Sequence, residues 1–158
     1  MSKAEYSIEP GKQEIVMTRT FDAPRELVFK TMNDPALIPQ WWGPSYLTTT
    51  VEEMDVRPGG KWRYVQRAPD GGEHAFHGVY HEIKAPERVV CTFEYEGTPG
   101  HVLLETIRLE EADGKTKMID QSVFQSVEDR DGMVQAGMES GATEMMDRLE
   151  GLLAGARV

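Results

Sequence analysis

The sequence has little cysteine and no long apolar run. Its single cysteine, Cys91, excludes an internal disulfide and is typical of a reducing compartment. No apolar stretch approaches the roughly 20 residues that a membrane-spanning helix needs. The N-terminus lacks the apolar region of a secretory signal peptide. We therefore expect a cytoplasmic protein that does not insert into a membrane.

Clustered positive charge is also lacking. The chain has 17 lysines and arginines against 27 aspartates and glutamates, which gives a net charge of −10. The basic residues are scattered along the chain, with no arginine-rich tract. Nucleic-acid binding and binding to anionic membrane surfaces both depend on clustered basic side chains. The sequence therefore argues against both kinds of partner.

What is present is the composition of a folded domain. Hydrophobic residues make up 39% and charged residues 28% of the 158 residues, which excludes overall disorder and allows a sizeable core. Residues 1–12 are polar and contain Pro10-Gly11, so we predict a flexible lead-in there. The remaining chain shows no internal repeat and no linker, which predicts a single domain over residues 13–155.

Turn signals divide that domain into a short helical part and a long run of strands. An alternating apolar pattern predicts a first strand over residues 13–21. Pro24 and Asp34-Pro35 each predict the start of a short helix. Between residues 48 and 124, turns containing glycine and proline separate about six strands, at a spacing typical of antiparallel neighbours. We therefore expect an α+β fold in which a curved antiparallel sheet of about seven strands packs against one long C-terminal helix.

The C-terminal segment, residues 126–153, has the apolar period of one long amphipathic helix capped by Ser126. Its apolar face is unusual because it carries Gly137, Met138, Gly141 and Met145. Glycine inside a helix costs about 1 kcal/mol relative to alanine, and methionine is the most adaptable apolar side chain. Small and flexible side chains on a buried face predict that the helix covers a cavity.

The order of several motifs resembles a known family. The motifs are Phe21–Phe29, Asp34-Pro35, Trp41-Trp42-Gly43-Pro44, Arg57–Trp62, Gly78–Ile83, Pro86-Glu87-Arg88, Gly114-Lys115-Thr116 and Gly137–Gly141. Together they resemble the START-like superfamily (SRPBCC, Bet v 1-like, helix-grip) and, within it, the family related to the activator of the heat-shock-protein-90 ATPase. The resemblance covers about residues 14 to 153. It implies a helix-grip fold with a deep hydrophobic cavity for apolar small molecules, and it raises a co-chaperone role.

Strand alternation suggests which side chains face such a cavity. The apolar candidates are Trp41, Trp62, Tyr64, Phe93, Met138, Gly141 and Met145, and the polar candidates are His77, Glu105 and Asp120. The aromatic residues are equally compatible with a solid core, and His77 is alternatively a surface histidine or a core histidine with its own hydrogen-bond partner. A carboxylate that faces an apolar interior needs a partner or a raised pKa. The alternative is that a bulge or a twist of the strand lets each of the two acids reach solvent or pair with a surface arginine.

Metal and cofactor chemistry finds no support in the sequence. His74 and His77 point to opposite faces of a strand, and His77 and His81 lie roughly 13 Å apart at about 3.3 Å per residue. No phosphate-binding glycine loop is present. Cys91 lies in the middle of a strand without a neighbouring histidine pattern, which indicates an inert thiol. We expect neither a metal nor a cofactor.

Three functions are compatible with these features, and we rank them from the most to the least favoured. The first is binding of a small apolar ligand, with aromatic and methionine contacts and a few polar groups that set its orientation. The second is an interaction module that acts on a chaperone ATPase, which an exposed Trp41-Trp42 patch would favour. The third is a cyclase or hydrolase that uses an inward carboxylate, which a raised carboxyl pKa in a pocket would favour. An exposed sheet edge is compatible with a homodimer.

Overall fold

An antiparallel sheet of eight strands is the largest structural element of the protein in the computed structural model, which describes residues 3–156. The strands are β1 (Glu5–Ser7), β2 (Glu14–Phe21), β3 (Thr48–Met54), β4 (Lys61–Arg67), β5 (Glu73–Lys84), β6 (Arg88–Tyr95), β7 (Val102–Ala112) and β8 (Lys115–Val123). The helices are α1 (Arg25–Met32), α2 (Ile38–Trp41), α3 (Val127–Gln135) and α4 (Met138–Ala156). The strand order is β1-β2-β8-β7-β6-β5-β4-β3, with antiparallel pairing throughout. Within residues 3–156, none of the helices combines the length and apolar character required to cross a bilayer.

The two short helices connect β2 to β3. Pro24 occupies the N-cap position of α1, where its carbonyl accepts from the Leu27 and Val28 N–H groups at 3.1 Å. The second helix begins later than the sequence predicts, at Ile38. The Asp34 carboxylate accepts a hydrogen bond from the Ala36 backbone N–H at 2.9 Å and so holds a turn before the helix. The predicted helix start at Asp34-Pro35 is therefore wrong by one turn.

The N-terminal segment is more ordered than a lead-in. Glu5, Tyr6 and Ser7 pair with β2 as the edge strand β1, which explains why the sheet has one strand more than expected. The Tyr6 hydroxyl donates to the Glu139 backbone carbonyl at 3.1 Å and lies 2.8 Å from the Thr143 hydroxyl. This edge strand therefore holds the N-terminal half of α4 against the sheet.

The C-terminal segment consists of two helices rather than the single helix that the apolar period predicts. The Ser126 hydroxyl accepts from the Asp129 N–H at 3.1 Å, which confirms the predicted cap of the first helix. At Gly137 the backbone has φ = +93°, a left-handed conformation that glycine adopts without strain. Gly137 therefore ends α3 and redirects the chain into α4.

The apolar core lies at the C-terminal half of α4. Met146, Leu149 and Leu153 are buried against the concave face of the sheet and against α1. Towards its N-terminal half the helix is less buried, and Met138 and Met145 are only partly covered. The C-terminal half of α4 therefore packs directly on the sheet, whereas its N-terminal half is held at the sheet edge by Tyr6 and borders open space.

This asymmetry predicts unequal costs for truncating apolar side chains along α4. Leu149 is fully buried, so Leu149→Ala should lower the free energy of unfolding by about 2–5 kcal/mol. Met145→Ala, one turn earlier, should lower it by about 1 kcal/mol, because Met145 already borders empty space. Urea unfolding of both variants measures the difference, and equal losses would show that α4 is packed uniformly.

Candidate functional site

A cavity of about 560 Å³ lies between the concave face of the sheet and the helices. Strands β4 to β8 supply most of its floor, while α2 and the N-terminal half of α4 supply its roof. The volume falls within the range of pockets that enclose small-molecule ligands. Most of the lining side chains are aliphatic or aromatic.

Trp42 is the centre of an aromatic cluster on one wall. Its ring centroid lies 5.0 Å from that of Tyr64 and 5.2 Å from that of Phe76, both in edge-to-face geometry. The rings of Trp62 and Phe93 each lie 6.5 Å away. Edge-to-face aromatic pairs contribute about 0.5–1.5 kcal/mol to stability beyond the effect of their burial. Contacts among these rings therefore hold the wall in place.

Gly78 allows one of these rings to lie close to the sheet. A Cβ at this position would lie 1.9 Å from the Thr92 carbonyl oxygen and 2.5 Å from the Trp62 Nε1. Because there is no side chain at 78, the Trp62 indole crosses the strand and donates to the Thr92 carbonyl at 3.2 Å. The hydrogen bond fixes the orientation of the ring within the cavity wall.

The roof leaves real space at Gly141. A Cβ built at Gly141 would meet no atom within 4 Å, although Gly141 lines the cavity. The glycine is therefore not required for close packing of helix against sheet. It replaces a side chain that would otherwise extend into the cavity.

Two carboxyl groups lie in the floor. Glu105 on β7 and Asp120 on β8 point to the same face and are offset diagonally, since Glu105 pairs with Ser122 and Asp120 pairs with Ile107. Burial raises the pKa of Asp120 well above its usual range, and the charge of Glu105 and a side-chain hydrogen bond to it raise that pKa further. The pair therefore retains a proton that an exposed aspartate would lose.

The other ionisable groups near the pair are neutral. Burial raises the pKa values of Tyr64, Tyr80 and Cys91 above their usual ranges, with a smaller contribution from the negative charge of Glu105. The Cys91 Sγ lies 3.9 Å from Glu105 Oε1 as a weak donor. Cys91 is thus a buried thiol without thiolate character, and charge in the floor is confined to Glu105 and Asp120.

The structure brings almost all of the predicted site residues together. Those that line the cavity are Trp41, Trp62, Tyr64, Phe93, Glu105, Asp120, Met138, Gly141 and Met145. His77 is not among the described residues that line it. Its Nδ1 lies 2.8 Å from Glu96 Oε2 and its Nε2 lies 3.2 Å from Glu94 Oε1, on the outer face of the sheet. The expectation that His77 faces inward is therefore corrected.

The reason is a β-bulge. The pairing of β5 with β6 shifts register between Tyr80 and Glu82. A bulge inserts one residue and so reverses the inward and outward alternation on either side of it. Ile83 lies after the bulge and packs against the core. Simple alternation from Ile83 predicts that His77 also faces inward, but the bulge between them reverses the direction. The residues that face inward before the bulge are Phe76 and Tyr80, which the sequence reasoning missed.

A helix-grip fold that encloses a mostly apolar cavity is the class of protein that these observations define. The sequence profile of the family described as "Activator of Hsp90 ATPase homolog 1-like protein" matches residues 22–154. The chain therefore belongs to the activator of Hsp90 ATPase homolog 1-like family. The predicted family and the predicted fold are both confirmed.

Solved structures with the same fold come from several bacteria. A solution structure of an Arthrobacter aurescens protein is 26% identical, with a TM-score of 0.87 over 96% of this chain and 91% of that one. A Staphylococcus epidermidis protein is 27% identical, with a TM-score of 0.81 over 95% and 94%. A Rhodobacter sphaeroides crystal structure, at 23% identity, shares the fold with a TM-score of 0.89 over 97% and 99%. No curated protein matches the chain at significant similarity.

The raised pKa of Asp120 predicts how stability changes with pH. An unfolded aspartate has a pKa of about 3.9, so above that pH the folded protein holds a proton that the unfolded chain has lost. The free energy of unfolding should therefore fall as pH rises from about 4 through the folded pKa, by at most about 1.4 kcal/mol per pH unit. Asp120→Asn should remove this fall, so its stability relative to the wild type should increase with pH.

Urea unfolding between pH 4.5 and 9 measures this difference. Glu110→Gln, an exposed position on the same sheet, is the matched control and should follow the wild-type curve in parallel. An Asp120→Asn curve that also stays parallel to the wild type would contradict the raised pKa.

Proposed function

We propose that the protein binds a small apolar or amphipathic molecule in the cavity between sheet and helix. The observation that carries the proposal is a cavity of about 560 Å³ with a mostly apolar lining, under a helix whose Gly141 leaves the space open. Burial of ligand surface against Trp62, Phe93 and Met138 would drive binding. Glu105 and Asp120 would set the orientation of the ligand.

An interaction module acting on a partner ATPase receives less support. The family description refers to activators of the Hsp90 ATPase, and this is the observation that supports the alternative. An exposed Trp41-Trp42 patch would favour it, but Trp41 is 4% exposed and both rings line the cavity. Stimulation of a chaperone ATPase by the purified protein would test this alternative directly.

The carboxyl pair supports an enzyme as the second candidate. Asp120 combines a raised pKa with a position in the cavity, which is the arrangement that a general acid requires. A panel of activated esters and epoxides, assayed with the wild type and with Asp120→Asn, tests this function. Turnover that the variant loses while it still binds the substrate would support catalysis.

Native mass spectrometry of the freshly purified protein tests ligand binding most directly. We expect a retained small molecule that is released on mild activation, and the same spectrum gives the number of subunits. The free protein mass at every activation energy, together with no shift in melting temperature across an apolar compound library, would count against the proposal.

Filling the roof of the cavity should block binding without unfolding the protein. Gly141→Phe should lower the affinity for the retained ligand by at least about tenfold, because the new ring would occupy the space beside the helix. Gly151→Phe is the matched control, since Gly151 also lies within α4 with open surroundings but is exposed and does not line the cavity. Equal affinities for the two variants, by ligand titration, would place binding elsewhere.

A further inference from the structure

We propose that the cavity selects ligands that carry a basic amine on an apolar body, with the ammonium group at Glu105 and Asp120. The inference rests on the proposed ligand-binding function and adds the chemical class of the ligand. Three features of the described residues carry it. They are the distribution of charge in the lining, an oxygen atom without a partner, and the position of the carboxyl pair in the same cavity as the aromatic wall.

The charge of the lining has one sign. Among residues 3–156, the cavity lining includes no lysine, arginine or histidine, and its only carboxyl groups are Glu105 and Asp120. The flanking Tyr64, Tyr80 and Cys91 remain protonated, since burial raises each pKa. A carboxylate ligand would therefore meet like charge without any compensating cation. An ammonium group would meet the counter-charge that the lining otherwise lacks.

The pair also has an unused hydrogen-bonding site. Asp120 Oδ1 is buried and has no hydrogen-bond partner among the described residues. A buried polar atom without a partner costs about 1–3 kcal/mol, so a group that supplies the missing partner gains affinity. An ammonium group offers three N–H donors and no acceptor, while a carboxylate offers only acceptors. An ammonium ligand would displace the proton of the pair to solvent and donate to the free oxygen, whereas a carboxylate ligand could do neither, so this oxygen favours a donor ligand.

Tyr64 connects the pair to the apolar wall. Tyr64 lines the cavity together with Glu105 and Asp120, and its ring centroid lies 4.7 Å from that of Trp62 and 5.0 Å from that of Trp42. A ligand with its amine at the carboxyl groups would place its apolar body along this aromatic cluster. Aromatic faces attract cations as well as apolar chains, so the wall does not oppose the amine.

A matched series of eight-carbon probes tests the inference, namely octylamine, octanol and octanoate at pH 7.5. All three tryptophans of the chain line the cavity, so intrinsic tryptophan emission reports its occupancy. We expect octylamine to bind at least about tenfold more tightly than octanol and octanoate to bind most weakly, because charge-assisted hydrogen bonds are about twice as strong as neutral ones.

Variants of the pair separate charge recognition from apolar binding. Glu105→Gln and Asp120→Asn should each lose most of the preference for octylamine while binding octanol within about threefold of the wild type, since the apolar contacts remain. Glu110→Gln, an exposed carboxylate on the same strand as Glu105, should change neither affinity. Melting curves without probe establish that each variant is folded.

The outcomes distinguish this inference from the proposed function. Equal affinities for octylamine and octanol, or an amine preference that survives in both Glu105→Gln and Asp120→Asn, would overturn amine selection and leave cavity binding in place. No change in emission with any of the three probes would count against both.

Discussion

One helix cannot cover the concave face of an eight-stranded sheet, and the site depends on that geometric constraint. Eight strands spaced about 4.8 Å apart span roughly 34 Å, whereas the 19 residues of α4 form a helix about 28 Å long and about 10 Å across. Here α4 makes its tight contacts through Met146, Leu149 and Leu153 at one end. At the other end it lies over a space that the strands cannot close by themselves. The cavity is therefore a consequence of the fold, and the absence of a side chain at Gly141 leaves it open.

The constraint alone would permit collapse, so other contacts must hold the walls apart. On the sheet side, the rings around Trp42 pack against one another, and Trp62 is fixed by its hydrogen bond across Gly78. On the helix side, Tyr6 reaches from the edge strand to the N-terminal half of α4. Both walls are thus positioned by contacts within the protein, and a ligand would enter a space whose shape is already set.

Much of this was accessible from the sequence, and the errors have a common cause. The element order, the fold and most of the lining follow from apolar periodicity and turn signals, which are local properties. The inward direction of His77 was wrong because a β-bulge is decided by pairing between β5 and β6. The strand at Glu5–Ser7 is only three residues long and depends on its partner β2. The helix break at Gly137 went unpredicted because the apolar period continues across it, although glycine commonly ends a helix.

The carboxyl pair is the feature that folding alone does not explain. Replacing buried charged groups by apolar residues of similar volume is often neutral or stabilising, so apolar side chains at Glu105 and Asp120 would serve the fold at least as well. The pair instead holds an extra proton and leaves Asp120 Oδ1 without a partner. Neither feature stabilises the protein alone. A group with N–H donors and a positive charge would replace the extra proton, which is released to solvent, and would supply the missing hydrogen bond at the same time.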